Sequence, residues 1–171
     1  MLTYALIGCE VIKRSRHVYW LVLLAGAAWL AMIVAAPWLM ATQHALSAMI
    51  LYRACALVCH QQPARSFTWW GFPLGVCVRC LGAYVGFACG WLCALRLPRL
   101  PRRRLFLAIA PLVIDWGLGA TGLWLNTPLS RWLTGMLAGF AAAWYLLHAS
   151  FGSVAALHKS DSGETFLTWL K

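Results

Sequence analysis

Charge is scarce in this chain, and acid is scarcest. Charged residues make up 11% of 171, and only four are Asp or Glu. A soluble domain carries about 25% charge and about 45–50% apolar residues. Here the apolar share is 63%, which excludes an ordinary soluble domain and points to a membrane protein. A separate basic domain is also missing, although the net charge is +10. The basic residues clump between long apolar runs and read as topology signals, so no nucleic-acid partner is expected. Long internal repeats and low-complexity tracts are absent, leaving 1–171 as a single membrane domain. An even cysteine count is missing as well. Seven cysteines cannot form a fully paired disulfide framework. Leu81, not histidine, follows Cys80, which excludes covalent haem attachment through Cys-x-x-Cys-His.

Long apolar runs, by contrast, are plentiful. Crossing a bilayer takes roughly 20 apolar residues, and the runs 18–41, 74–95, 105–125 and 132–151 qualify. The run 45–58 is shorter, holds Arg53, and reads as a re-entrant or interfacial helix. The expected fold class is all-α, a polytopic membrane bundle of four transmembrane helices plus that short helix. Run 18–41 exceeds the about 7–15 residues of a signal-peptide core and reads as an uncleaved span. With a cytoplasmic N-terminus, Lys13, Arg14, Arg16, Arg96, Arg99, Arg102, Arg103, Arg104, Lys159 and Lys171 lie inside. Arg53, Arg65, Arg79 and Arg131 then lie toward the outside. This positive-inside bias puts both termini in the cytoplasm, and for a bacterial host the membrane would be the inner or cytoplasmic one.

The exterior loop 59–80 gathers Cys59, His60, Cys77 and Cys80. Thiolates and imidazole are the ligands zinc prefers, four in a tetrahedron. Cys77 and Cys80 lie one turn apart if they begin a helix. Cys59 and His60 are immediate neighbours and reach one ion only through irregular backbone, which Pro63 favours. A disulfide, a redox pair or simple packing are the other readings of these thiols. Cys9, Cys55, Cys89 and Cys93 read as packing residues.

Gly82, Gly86 and Gly90, and likewise Gly135 and Gly139, recur every four residues, a spacing that lets helix backbones approach closely. Asp115 is the one acid inside a span and a functional candidate by default. Arg79 is its nearest intramembrane partner by depth. Arg65 in the loop is a candidate contact for an anion or a lipid phosphate. Trp29 and Trp116 fall mid-span and are expected to pack against neighbours.

The segments "CHQQPARSF" and "GVCVRCLGAYVGF" resemble the bacterial membrane proteins grouped as domain of unknown function 2085. Cys59, His60, Gln61, Arg65, Ser66, Phe67, Cys77, Arg79, Cys80, Gly82, Tyr84 and Gly86 carry the resemblance. A second block is similar through Asp115, Gly122, Arg131, Thr134 and Gly135. Trp116 departs from the family's usual glycine. The resemblance spans about Cys59 to Gly139 and implies a membrane protein, not an activity.

The function expected is a small integral membrane protein with an exterior Cys/His site holding structural zinc. No general base accompanies the cluster, so no catalytic residue is assigned and an enzyme is not favoured. An accessory subunit of a larger electron-transfer or photosynthetic complex, and an exterior thiol redox protein, are the alternatives. Membrane lipids are the expected partners, with other membrane subunits a further option.

Overall fold

The computed structural model describes the backbone of residues 2–94 and 102–161 and the side chains of 17–93 and 103–149. Arg96, Pro98, Arg99, Pro101 and Lys171 lie outside the described residues. So do the side chains of Cys9, Lys13, Arg14, Arg16, Arg102 and Lys159. The chain is mostly helical, with α1 (Leu2–Ala41), α2 (Ala45–Ala56), α3 (Val78–Ala94), α4 (Arg102–Ala120) and α5 (Pro128–Asp161). Among the described residues one helical stretch, His17–Ala41, is long and apolar enough to cross a bilayer. The other expected spans begin or end elsewhere for local reasons. The stretch 74–77 belongs to the loop, which shortens α3 to 17 residues. The turn at Gly122, with φ +73°, follows the end of α4. α5 starts earlier than expected, because Pro128 suits a first helical position and Thr127 Oγ1 accepts from the Ser130 N–H at 3.1 Å.

α3 runs antiparallel to α1. Trp91 stacks on Tyr19 and donates its indole N–H to the Tyr19 carbonyl at 3.2 Å. Further along, Tyr84 meets Trp29 edge-on, and Cys77 and Cys80 pack against the cluster around Ile33. The first turn of α3 is therefore level with Ile33. α1 continues eight residues further, to Ala41, an overshoot of about 12 Å at roughly 1.5 Å per residue. α2 turns back along this overshoot through Gln43, whose φ is +64°. Its 12 residues reach about 18 Å, short of the about 30 Å of a bilayer core.

α3 and α5 lie side by side in parallel, with no side chain between them at five places. A Cβ on Gly82, Gly86 or Gly90 would enter the backbone carbonyls of Trp132, Met136 or Phe140. From the other side, Gly135 and Gly139 rest on the carbonyls of Arg79 and Ala83. Both glycine stripes are thus spent on one contact inside this chain. Cys89 and Cys93, expected to pack beside the stripe, are exposed. Trp116, expected to pack against neighbours, is exposed too.

The loop before α3 is not wholly irregular. A two-stranded antiparallel hairpin, β1 (Thr68–Trp69) and β2 (Phe72–Pro73), pairs Trp69 with Phe72. Its connection, Trp70-Gly71, has φ +52° and +82°, the left-handed pair of a tight two-residue hairpin turn. This is a small exception to an all-α fold.

Gly86→Ala places a methyl group inside the Met136 carbonyl, whereas Gly26→Ala meets open space. Overpacking of this kind costs about 1–3 kcal/mol. Thermal unfolding in detergent should show Gly86→Ala melting several degrees lower and Gly26→Ala unchanged. Equal melting temperatures would contradict the interlocked contact.

Candidate metal centre

Three thiols meet where α2, the loop and α3 converge. The sulfurs of Cys59, Cys77 and Cys80 all lie within 4.8 Å of one another. A zinc–sulfur bond of about 2.3 Å gives a tetrahedral edge of roughly 3.8 Å, so the triangle is near the size such an ion needs. Cys59 is buried and the other two are half-buried. The Cys77 backbone N–H donates to Cys59 Sγ at 3.2 Å. Cys77, just ahead of α3, has its thiol pKa pulled well below the ordinary range. The main cause is hydrogen bonding from the Cys80 thiol, opposed by burial and helped by the Arg79 backbone and Cys59. Cys55 behaves oppositely. Burial, and then the nearby Cys59, push its thiol up, and it packs against Gly75 as an inert core residue.

Gln61 holds this arrangement together. Its backbone turns left-handed, with φ +46°, directly after Cys59-His60. Its side-chain amide donates to the Tyr52 carbonyl at 2.6 Å and the Gly75 carbonyl at 2.7 Å. Tyr52 in turn donates its hydroxyl to the Pro73 carbonyl at 2.6 Å. These bonds tie the end of α2 to the strand that delivers Cys77. The irregular backbone lets Cys59 turn inward while His60 turns out. His60 is exposed and lines the cavity beside the thiols, but it is not one of the clustered ligands.

Beside the thiols, Arg79 on α3 pairs with Asp115 on α4 through its Nη2. Asp115 is 9% exposed. Its other oxygen accepts from Ser130 Oγ at 2.9 Å, and its backbone carbonyl accepts from the Asn126 amide. One carboxylate thus joins α3, α4 and the start of α5. A cavity of about 300 Å³ opens next to this network, lined by the three thiols, His60, Arg65, Arg79, Trp116 and Arg131 among others.

Residues 59–145 match the family of predicted membrane proteins known as DUF2085. The chain belongs to that family. An uncharacterized protein of Methanocaldococcus jannaschii is 32% identical over 110 residues, covering 61% of this chain and 70% of that protein. The likeness therefore extends beyond bacteria. No solved structure matches this one.

The DUF2085 match opens on Cys59 and continues past Arg131, so it contains every side chain of the thiol cluster and of the Arg79–Asp115 network. α1 and α2 lie outside it. Within the DUF2085 segment, sequence reasoning picked out Cys59, Cys77, Cys80, Arg79 and Asp115, and the structure places them together. It also named His60 and Arg65, which line the same cavity as the thiols and Arg79. It missed the positioning role of Gln61 and the place of Arg131 and Ser130. Gln61 was visible only as part of a motif, because its bonds go to carbonyls of other segments.

The Arg79–Asp115 pair has a direct energetic test. Breaking a buried pair by removing one partner costs about 3–5 kcal/mol, and the 22% exposure of Arg79 places this pair toward the lower end. Asp115→Asn and Arg79→Gln should each destabilise the protein, and the double variant should lose less than their sum. A double-mutant cycle read by denaturant unfolding should give a coupling of about 0.5–3 kcal/mol. Strict additivity would remove the pair's structural role.

Proposed function

We propose that this chain is a small integral membrane protein whose Cys59, Cys77 and Cys80 hold one soft metal ion, zinc, as a structural clasp. The observation that carries the reading is the convergence of three sulfurs from two segments within 4.8 Å. The clasp joins the end of α2 to the first turn of α3, and Gln61 fixes the same junction from the protein side. His60, which lines the adjoining cavity, or a water would supply a fourth ligand. Among the described residues no neighbouring carboxylate is free to act as a base, since both Asp115 oxygens are engaged. This favours a structural ion over a catalytic one.

The membrane reading adds three spans to α1. Its support is the alternating direction of α1 and α3, the parallel course of α5, and rows of exposed apolar residues such as Phe106, Leu107, Val113 and Ile114. Apolar surface of that extent suits lipid better than water. The basic residues then put both termini in the cytoplasm and the clasp on the exterior.

Zinc measured by elemental analysis should be near one ion per wild-type chain and near zero in the Cys77→Ser, Cys80→Ser double variant. Because thiols bind metal as thiolates, binding releases protons, and the ion should be lost as pH falls. Equal metal in both proteins would end the metal reading. A second reading, an exterior redox thiol pair, is favoured by the lowered Cys77 pKa. A mixed disulfide trapped on Cys77 in metal-free wild-type protein would support it.

A further inference from the structure

The cavity beside the thiols collects positive charge that the described side chains do not fully answer. Arg65 from the loop, Arg79 from α3 and Arg131 from α5 all line it. Among the described side chains Asp115 is the sole acid. One of its oxygens is taken by Arg79 and the other by Ser130. Arg131 therefore faces its neighbours half-buried. Arg79 also keeps a donor in reserve, because its Nε is buried with no hydrogen-bond partner among the described residues. A buried, unmet donor on a charged group is expensive unless something accepts from it.

The metal clasp does not remove this excess. Three thiolates on a divalent ion carry one net negative charge, and Asp115 adds a second. Against three guanidiniums, one positive charge remains. A chain so poor in acid has nothing further to offer from its described side chains.

We propose that the cavity binds an oxyanion of the phosphate type, held by Arg131, Arg65 and the free edge of Arg79. Guanidinium presents its donors in a planar fork that matches phosphate oxygens. Asp115 serves as a positioning residue, holding Nη2 of Arg79 so that the rest of the guanidinium stays with the cavity. Gln62 and His60 line the same space and can supply neutral hydrogen bonds. The phosphate group belongs either to a free anion or to an anionic lipid headgroup, since the same fork recognises both. The proposal stands on the arginines and is separable from the metal reading.

The test uses the whole chain. Equilibrium dialysis in detergent measures radiolabelled inorganic phosphate. Native mass spectrometry after release from mixed phosphatidylcholine and phosphatidylglycerol nanodiscs measures retained anionic lipid. Saturable phosphate binding identifies a free anion as the source, and retention of phosphatidylglycerol without phosphate binding identifies the headgroup. In either case Arg131→Gln should weaken binding about tenfold or more, as expected for one charged hydrogen-bonding group. Arg65→Gln, on an exposed loop where folding is not at stake, should weaken it too, and Arg131→Lys should recover part of the loss. Absence of both kinds of binding, or affinities unchanged in Arg131→Gln and Arg65→Gln, overturns the proposal. Zinc content read on the same samples separates the two sites. Phosphate binding by zinc-free protein sinks only the metal reading, and zinc without anion binding sinks only this one.

Discussion

α3 and α5 touch through their backbones, and the position of nearly every side chain at the cysteine end depends on that contact. Where Gly135 lies on the Arg79 carbonyl, the first turn of α3 is locked against the first turns of α5. Arg79 and Arg131 are thereby brought to one cavity, and Ser130 comes within reach of the carboxylate that Arg79 already holds. A side chain between these helices would push them apart by several ångströms. The ion pair, the serine bond and the shared cavity would all be lost together. Close backbone packing of this kind gains from van der Waals contact over many atoms and needs no polar glue.

The second constraint is the junction between α2 and α3. α2 is too short to cross a bilayer and must end beside the bundle, where its last carbonyls and the following loop need partners. Gln61 and Tyr52 supply them from side chains. A metal ion on Cys59, Cys77 and Cys80 would fasten the same two segments a few residues away. The two devices differ in what they require. The hydrogen bonds need only the folded backbone, while the ion needs deprotonated sulfur and a supply of metal. The Cys77 environment favours thiolate and the Cys55 environment favours thiol, which separates a candidate ligand within the loop from a packing residue just before it.

Much of this was legible in the sequence, and the pattern of failures is physical. The glycines could be read because a period of four residues marks one helix face, whatever that face meets. Which helix it meets depends on the fold, and both stripes turned out to meet each other. The thiols could be read because their spacing is local on one side and a single loop on the other. His60 could not be separated from Cys59 by spacing alone, since only the local backbone around Gln61 decides that Cys59 is buried while His60 is exposed at the cavity. Arg79 and Asp115 could be matched by scarcity, since few charges lie within the apolar runs. Arg131 carried no such signal. Nothing in a lone arginine before an apolar run tells that a loop arginine 66 positions earlier shares its cavity. The hairpin was missed for a related reason, as Trp70-Gly71 lacks the asparagine or aspartate that marks such turns most strongly.

The scarcity of acid gives the cysteine end its character. In most proteins a cluster of arginines is balanced by carboxylates, and the result is a closed salt-bridge network. Here one carboxylate serves three guanidiniums and is already saturated by two partners. Among the described side chains, the only other source of negative charge is ionised sulfur. Sulfur would meet only part of the demand if the proposed divalent ion were bound, because the ion would consume most of the charge its thiolates bring. An imbalance retained inside a partly buried cavity is unfavourable for the isolated fold, yet it is the condition under which an arriving oxyanion would gain most. The same composition that marks the chain as a membrane protein thus leaves the cavity beside the thiols with more guanidinium than carboxylate among the described side chains, the imbalance that the proposed oxyanion would answer.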